Sequence, residues 1–263
     1  MTDRVELPLS GASFGADPSF VELLRRQRPE ALPPSQQMGV LEVPQGTTVL
    51  GLRFADGIVM AGDRRATAGY TIADAKMRKV FAADDFSAIA IAGAAGQAVE
   101  TVRLFQLELE HYEKLTGDRL SLEGKANRLA QMIRANFPLA MQGLVVVPLF
   151  GGFDEARNEG RLFYYDATGG RWEEQDYQAT GSGAQPAKNS LKKRWRPGLT
   201  QDEGLRVAVE GLIDAAEDDV ATGGPDLARG ILPVVMTVTS EGATESTDED
   251  VVSAVRAVVE TRP

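Results

Sequence analysis

Thr47-Thr48-Val49-Leu50-Gly51-Leu52-Arg53-Phe54, then Ala55-Asp56-Gly57, then Ile58-Val59-Met60-Ala61-Gly62-Asp63: the reading of this stretch decides the fold. Apolar and β-branched residues dominate both runs, so Thr47–Phe54 and Gly57–Asp63 read as short strands. The Asp56-Gly57 pair between them is a hairpin signal. An antiparallel pair therefore opens the folded part of the chain.

Upstream the character changes. In residues 1–46 Gly, Ser and Pro are frequent, and Pro29, Pro33, Pro34 and Pro44 exclude a long regular element. One short helix is expected there, capped by Asp17, opened by Pro18 and carried through Phe20, Leu23 and Leu24. The segment reads either as a disordered tail or as a removable leader that packs on something before removal.

Downstream, Arg78–Ala82 and Phe86–Ala92 read as further strands. Two helices follow, Ala95–Leu115 and Ser121–Ala140. Strands resume at Leu144–Gly151, Leu162–Asp166 and Tyr177–Thr180. A second helical pair covers Ala187–Arg194 and Thr200–Val220, the latter opening on the capping box Thr200-Gln201-Asp202-Glu203. Ile231–Thr239 is a last strand, and Glu241–Pro263 an acidic tail with a helix at Asp250–Glu260. Strands in clusters, rather than alternating with helices one by one, argue for an α+β fold of antiparallel sheets with helix layers outside.

Composition narrows the function. The 263 residues carry a formal charge of −10 and a pI near 4.8. That balance argues against nucleic acid and anionic membrane as partners. With no run of about 18 apolar residues and no secretory h-region, the expectation is a cytosolic protein. There is no cysteine, which excludes disulfides, thiolate catalysis and Cys-bound zinc. The single histidine, His111, excludes a multi-His metal centre. It lies off the stripe Ala98, Val102, Phe105, Leu109, Tyr112 and among Glu108, Glu110 and Glu113, so it reads as a solvated helix residue. No metal and no cofactor are expected.

Common catalytic signatures fail. Gly124-Lys125 lacks the earlier glycine of a phosphate-binding loop. Thr180-Gly181-Ser182-Gly183 is no nucleophile elbow, and Ser190-x-x-Lys193 has no companion motif. What remains is Gly46-Thr47-Thr48, at the junction of the leader and the strand-rich region. A threonine hydroxyl is a poor nucleophile without a base. A free α-amine, with a pKa of about 7.7–8, is a suitable base at neutral pH. A cut between Gly46 and Thr47 would put that amine on the same residue as the hydroxyl.

The motifs Thr47-Thr48-Val49, Gly62-Asp63-Arg64-Arg65-Ala66-Thr67, Lys79, Ile91-Ala92-Gly93, Gly181-Ser182-Gly183 and Asp219-Val220-Ala221-Thr222-Gly223-Gly224 occur in the order found in β subunits of the proteasome core particle. From Thr47 to about Thr239 the chain resembles that family of N-terminal-nucleophile threonine peptidases, most closely its actinobacterial members. The resemblance implies a four-layer α/β/β/α sandwich with two antiparallel sheets. It implies a leader over 1–46, a catalytic domain over 47–240 and a tail over 241–263.

By position, the resemblance makes Thr47 the nucleophile and its freed amine the general base. Lys79 becomes the lysine that lowers their pKa values, and Asp63 the residue that holds Lys79 charged. Gly93 would give its N–H to the oxyanion. Ser182, Asp219 and Thr222 would bond around the amine, with Thr222 standing where the family usually has serine, and Arg65 would be a structural neighbour. Thr67 and Ala95 would hold substrate backbone as an added strand. Ala66, Met77, Ile91 and Ala95 would line an apolar specificity pocket, with plain core as the lesser alternative for apolar residues.

The same resemblance implies partners: proteasome α subunits, heptameric β rings within a four-ring stack, an ATP-driven unfolding ring and unfolded protein substrates. Two alternatives stand beside it, a non-catalytic ring subunit and the simpler bacterial two-ring threonine peptidase. The Thr47, Asp63 and Lys79 trio weighs against the first, and the long leader against the second.

Overall fold

A computed structural model describes residues 46–262. The expected leader helix at Asp17–Leu24 lies outside the described residues. In chain order the described elements are β1 (Thr48–Phe54), β2 (Gly57–Gly62), β3 (Ala66–Ala68), β4 (Thr71–Asp74), β5 (Val80–Asp84) and β6 (Ser87–Gly93). Then come α1 (Ala95–Thr116), α2 (Leu122–Ala135), α3 (Phe137–Ala140), β7 (Val146–Asp154), β8 (Glu159–Tyr165), β9 (Arg171–Glu174) and β10 (Tyr177–Gly181). The chain ends through α4 (Ala184–Arg194), α5 (Gln201–Asp218), β11 (Val234–Thr239), β12 (Gly242–Glu245) and α6 (Asp248–Glu260).

Two five-stranded antiparallel sheets run β10-β1-β2-β11-β12 and β5-β6-β7-β8-β9. The opening hairpin forms as read, with Phe54 opposite Gly57, but its two turn residues are Ala55 and Asp56. Gly57 is needed for a different reason: a Cβ there would sit 2.0 Å from the Val238 carbonyl of the neighbouring strand.

Three apolar layers glue the sandwich. Between the sheets, Val49, Ile58 and Met60 of β1 and β2 meet Val80, Ala90 and Leu149 of β5, β6 and β7. Outside the second sheet, Ala98, Val102, Phe105 and Leu109 of α1 and Leu129 and Ile133 of α2 cover Ile89, Phe150 and Phe163. Outside the first sheet, α4, α5 and α6 cover Leu50, Leu52, Ala61 and Val235. The alternation along β1 explains the division: Val49 faces the inter-sheet layer, while Leu50 and Leu52 face the helices. This is the α/β/β/α sandwich.

Several elements depart from the sequence reading. The expected helix Ser121–Ala140 breaks at Asn136, because Pro138 has no N–H to continue the ladder. Tyr112, placed on the buried stripe of α1, is exposed. The hairpin β3–β4 and the strands β9 and β12 are too short and too polar to show as runs. The helix expected in the acidic tail at Asp250–Glu260 is present, and residues 241–262 belong to the folded body. β12 pairs with β11, and α6 buries Val251, Ala254, Val255 and Val258 against the core under α5. Asp248, Glu249 and Asp250 sit in its first turn, where the helix dipole favours them, and Thr247 and Asp250 form a capping box. No helix among the described residues is long and apolar enough to cross a membrane.

Candidate active site

Thr47 stands one residue before β1, where three strand ends meet. β2 delivers Asp63 just past Gly62, which pairs with Val49. β10 delivers Ser182 just past Gly181, which pairs with Thr48. β5 of the other sheet is preceded by Lys79, which reaches across the sandwich. Gly181 makes the approach possible: its φ is +105° and a Cβ would lie 2.0 Å from the Thr47 carbonyl. The Ser182 N–H then donates to that carbonyl at 2.8 Å.

Asp63 is saturated. Its Oδ1 accepts from the Thr48 N–H at 2.8 Å and from Lys79 Nζ at 2.6 Å. Its Oδ2 accepts from the N–H groups of Arg65 at 2.9 Å and Gly223 at 2.8 Å. Lys79 is fully buried. Nζ also donates to the carbonyls of Arg65 and, at 3.2 Å, of Gly46. Burial pushes the Lys79 ammonium below the ordinary lysine value, against Asp63, which acts to raise it.

The nucleophile candidate faces the same carbonyl. Thr47 Oγ1 donates to Gly46 O at 2.7 Å. Gly46 has no room for a side chain, since a Cβ would lie 2.1 Å from Thr67 Oγ1 and 2.8 Å from Ala221 Cβ. On the other side, the Thr47 N–H donates to Ser182 Oγ at 3.3 Å, and Ser182 Oγ donates to Asp219 Oδ2 at 2.6 Å.

Thr222 is brought in, but not onto Thr47. It is fully buried, donates to Asp219 Oδ2 at 2.6 Å and lies 2.6 Å from Thr48 Oγ1. Arg65 is more than a neighbour. Its Nη1 donates to the carbonyls of Val220 at 3.0 Å and Thr222 at 3.3 Å, clasping the loop that carries Asp219 and Thr222.

A cavity of about 500 Å³ opens beside Thr47, lined by Gly46, Thr67, Gly93, Val147, Ser182 and Ala221 among others. Thr67 and Gly93, both singled out in the sequence, line this cavity. Ala66, Met77, Ile91 and Ala95 do not line this cavity. Ile91 packs in the layer under α1, Ala66 is buried at the start of β3, and Met77 and Ala95 are half-buried. A larger cavity, about 610 Å³, lies between α5, α6 and β12. Among the described residues its one hydroxyl–carboxylate pair, Thr247 and Asp250, is the capping box of α6, and no lysine or histidine lines it, so its size does not make it the reactive site. The side chain of Thr48 escaped the sequence reading. Only the second threonine of Gly46-Thr47-Thr48 hinted at it.

A buried lysine aimed at a glycyl carbonyl that a threonine hydroxyl also touches is a specialised arrangement. Residues 43–226 match the family model for proteasome subunits. The chain belongs to the proteasome subunit family. It is 54% identical over 248 residues to a proteasome subunit beta of Streptomyces griseus, covering 93% of this chain and 88% of that one. It is 55% identical over 240 residues to a proteasome subunit beta of Acidimicrobium ferrooxidans, covering 91% and 88%. Within the proteasome family this chain is a β subunit, and the matched region takes in Thr47, Asp63, Lys79, Gly93, Ser182, Asp219 and Thr222.

Proposed function

We propose that this β subunit is the precursor of a threonine-type endopeptidase that activates itself by cutting between Gly46 and Thr47. The observation that carries the reading is the shared carbonyl: Thr47 Oγ1 at 2.7 Å and Lys79 Nζ at 3.2 Å on Gly46 O. In the uncut chain Thr47 has an amide and no basic nitrogen. Its hydroxyl attacks the Gly46 carbon while the Lys79 ammonium steadies the charge growing on Gly46 O. The C–N bond to Thr47 breaks, the nitrogen takes up the proton that the hydroxyl gives up and leaves as an amine, and water hydrolyses the resulting ester between the Gly46 acyl group and Thr47 Oγ1. Residues 1–46 are the leader, and the catalytic body runs from Thr47 through α6.

The freed amine then serves as general base for the same hydroxyl on substrates. Lys79, held by Asp63, keeps a positive charge beside both and favours their deprotonated forms. Ser182 and Asp219 orient the amine. Ile91 gives its N–H to Lys79 O at 2.9 Å, and alternation along β6 turns the Gly93 N–H to the same edge, beyond the start of β5. There it faces the position of a substrate oxyanion. Thr67 lies on the exposed hairpin edge that an extended peptide would join.

The names of the relatives support assembly in a proteasome core with other subunits. The sequence resemblance adds the finer reading: α subunits as partners, heptameric rings in a four-ring stack, and unfolded protein fed by an ATP-driven ring in the cytosol. The test is intact mass of the chain co-expressed with its α partner, beside the chain alone. Loss of residues 1–46 only on co-expression, abolished by Thr47→Ala, is expected. Leader loss from Thr47→Ala with α subunits, and no other peptidase present, would sink the self-cleavage step.

A further inference from the structure

Thr48 is bonded directly to Asp63 and is linked to Asp219 through Thr222. Its N–H donates to Asp63 Oδ1 at 2.8 Å, on the lysine side. Its hydroxyl serves the amine side, and the proton order there is forced. The Gly183 N–H donates to Thr48 Oγ1 at 3.0 Å. Thr222 Oγ1 gives its only proton to Asp219 Oδ2 at 2.6 Å. In the 2.6 Å contact between the two threonine hydroxyls, Thr48 is therefore the donor.

The chain runs from Gly183 N–H through the Thr48 and Thr222 hydroxyls to Asp219 Oδ2. Ser182, which holds the nitrogen of Thr47, ends on the same oxygen. Gly183 is the residue before α4, so the chain starts at that helix's positive end. Gly183 is also shaped around the pair: a Cβ there would lie 2.4 Å from Thr48 Oγ1 and 2.7 Å from Thr222 Oγ1. Both threonines are fully buried, so water cannot replace a lost hydroxyl without rearrangement.

We infer that Thr48 is a positioning residue of the peptidase reaction, whose hydroxyl, through Thr222, tempers the charge of Asp219 and so sets the basicity of the Thr47 amine. This rests on the threonine-peptidase reading above. Hydrogen bonds donated to Asp219 spread its negative charge. Without the Thr48 link the charge beside the amine is stronger, the ammonium form is favoured, and the free base appears only at higher pH.

The experiment uses the full chain assembled with its α partner, with kcat and KM measured against pH on an apolar fluorogenic peptide, and intact mass reporting leader loss. Thr48→Ser keeps the hydroxyl and is expected within about twofold of the parent, with the acidic limb of kcat unmoved. Thr48→Val keeps the shape and loses the hydroxyl. Its kcat is expected to fall roughly tenfold, with KM little changed and the acidic limb moved to higher pH. A Thr48→Val enzyme with the parent's limb and rate overturns the inference. So does a Thr48→Ser enzyme as impaired as Thr48→Val, which would make the methyl group the working part. If Thr48→Val does not assemble, Thr222→Val breaks the next link and must move the same limb; an unmoved limb there overturns the inference equally. An inactive, uncut parent would instead count against the peptidase reading itself.

Discussion

Asp63 receives four donors, two on each carboxylate oxygen, and three of them are backbone N–H groups from separate segments. That arrangement fixes where the Lys79 ammonium sits before any substrate arrives, which is what a preorganised charge requires. Its cost is the burial of Lys79, whose pKa is held below 10.5 chiefly by desolvation. The folded chain therefore binds fewer protons at Lys79 than the unfolded chain between that lowered value and 10.5. In this window the Lys79 contribution to stability rises with pH, is complete above 10.5 and is lost as pH falls through the lowered value. The prediction compares the parent chain with Lys79→Met by denaturant unfolding at pH 7 and pH 10. The difference should move in favour of the parent at the higher pH, by about 1.4 kcal/mol for each unit of pKa depression sampled. A difference that does not change with pH would mean that Lys79 is not perturbed by burial.

Single backbone positions at element ends decide how strands reach the site. Gly93 ends β6 with φ +115°, and a Cβ there would lie 2.0 Å from the Val145 carbonyl and 2.9 Å from its carbon. The next residue, Ala94, donates to that same carbonyl at 2.8 Å and α1 starts immediately after. A side chain at Gly93 must push β6 from β7 or unseat α1. Gly93→Ala is expected to destabilise the chain by about 3 kcal/mol. Thermal unfolding checks this, and a melting temperature equal to the parent's would show that the junction yields. The Gly93 carbon skeleton thus constrains the fold whether or not its N–H meets an oxyanion.

At the scale of the molecule, the site exists only because two sheets face each other: Thr47, Asp63 and Ser182 come from one sheet and Lys79 and Gly93 from the other. The inter-sheet layer sets the spacing between them. Leu149, fully buried on β7, lies in that layer with Val49 and Met60. Leu149→Ala should cost about 2–5 kcal/mol. It should also slow leader loss in the assembled particle, because the layer that spaces Lys79 from Gly46 would be loosened. A clear loss of stability with leader loss at the parental rate would show that the reach of Lys79 is buffered against sheet movement.

The sequence by itself determined the strand clusters, the helical pairs and the capping box of α5, while Thr47, Asp63, Lys79, Ser182 and Asp219 stood together only through the family resemblance. The strands, helices and cap are local features: periodicity and capping chemistry suffice to read them. It also singled out Gly46, although the reason for that glycine, the crowding by Thr67 and Ala221, is a contact between distant segments. Only the tertiary structure decided that Thr222 reaches Asp219 through one hydroxyl and Thr48 through the other contact, that Ile91 belongs to the core under α1, and that Arg65 clasps the Asp219 loop. It alone drew β12 and α6 into the sandwich. The helix at the acidic end was legible, but the layer on which its four buried apolar residues pack lies on α5, and no window along the chain contains both.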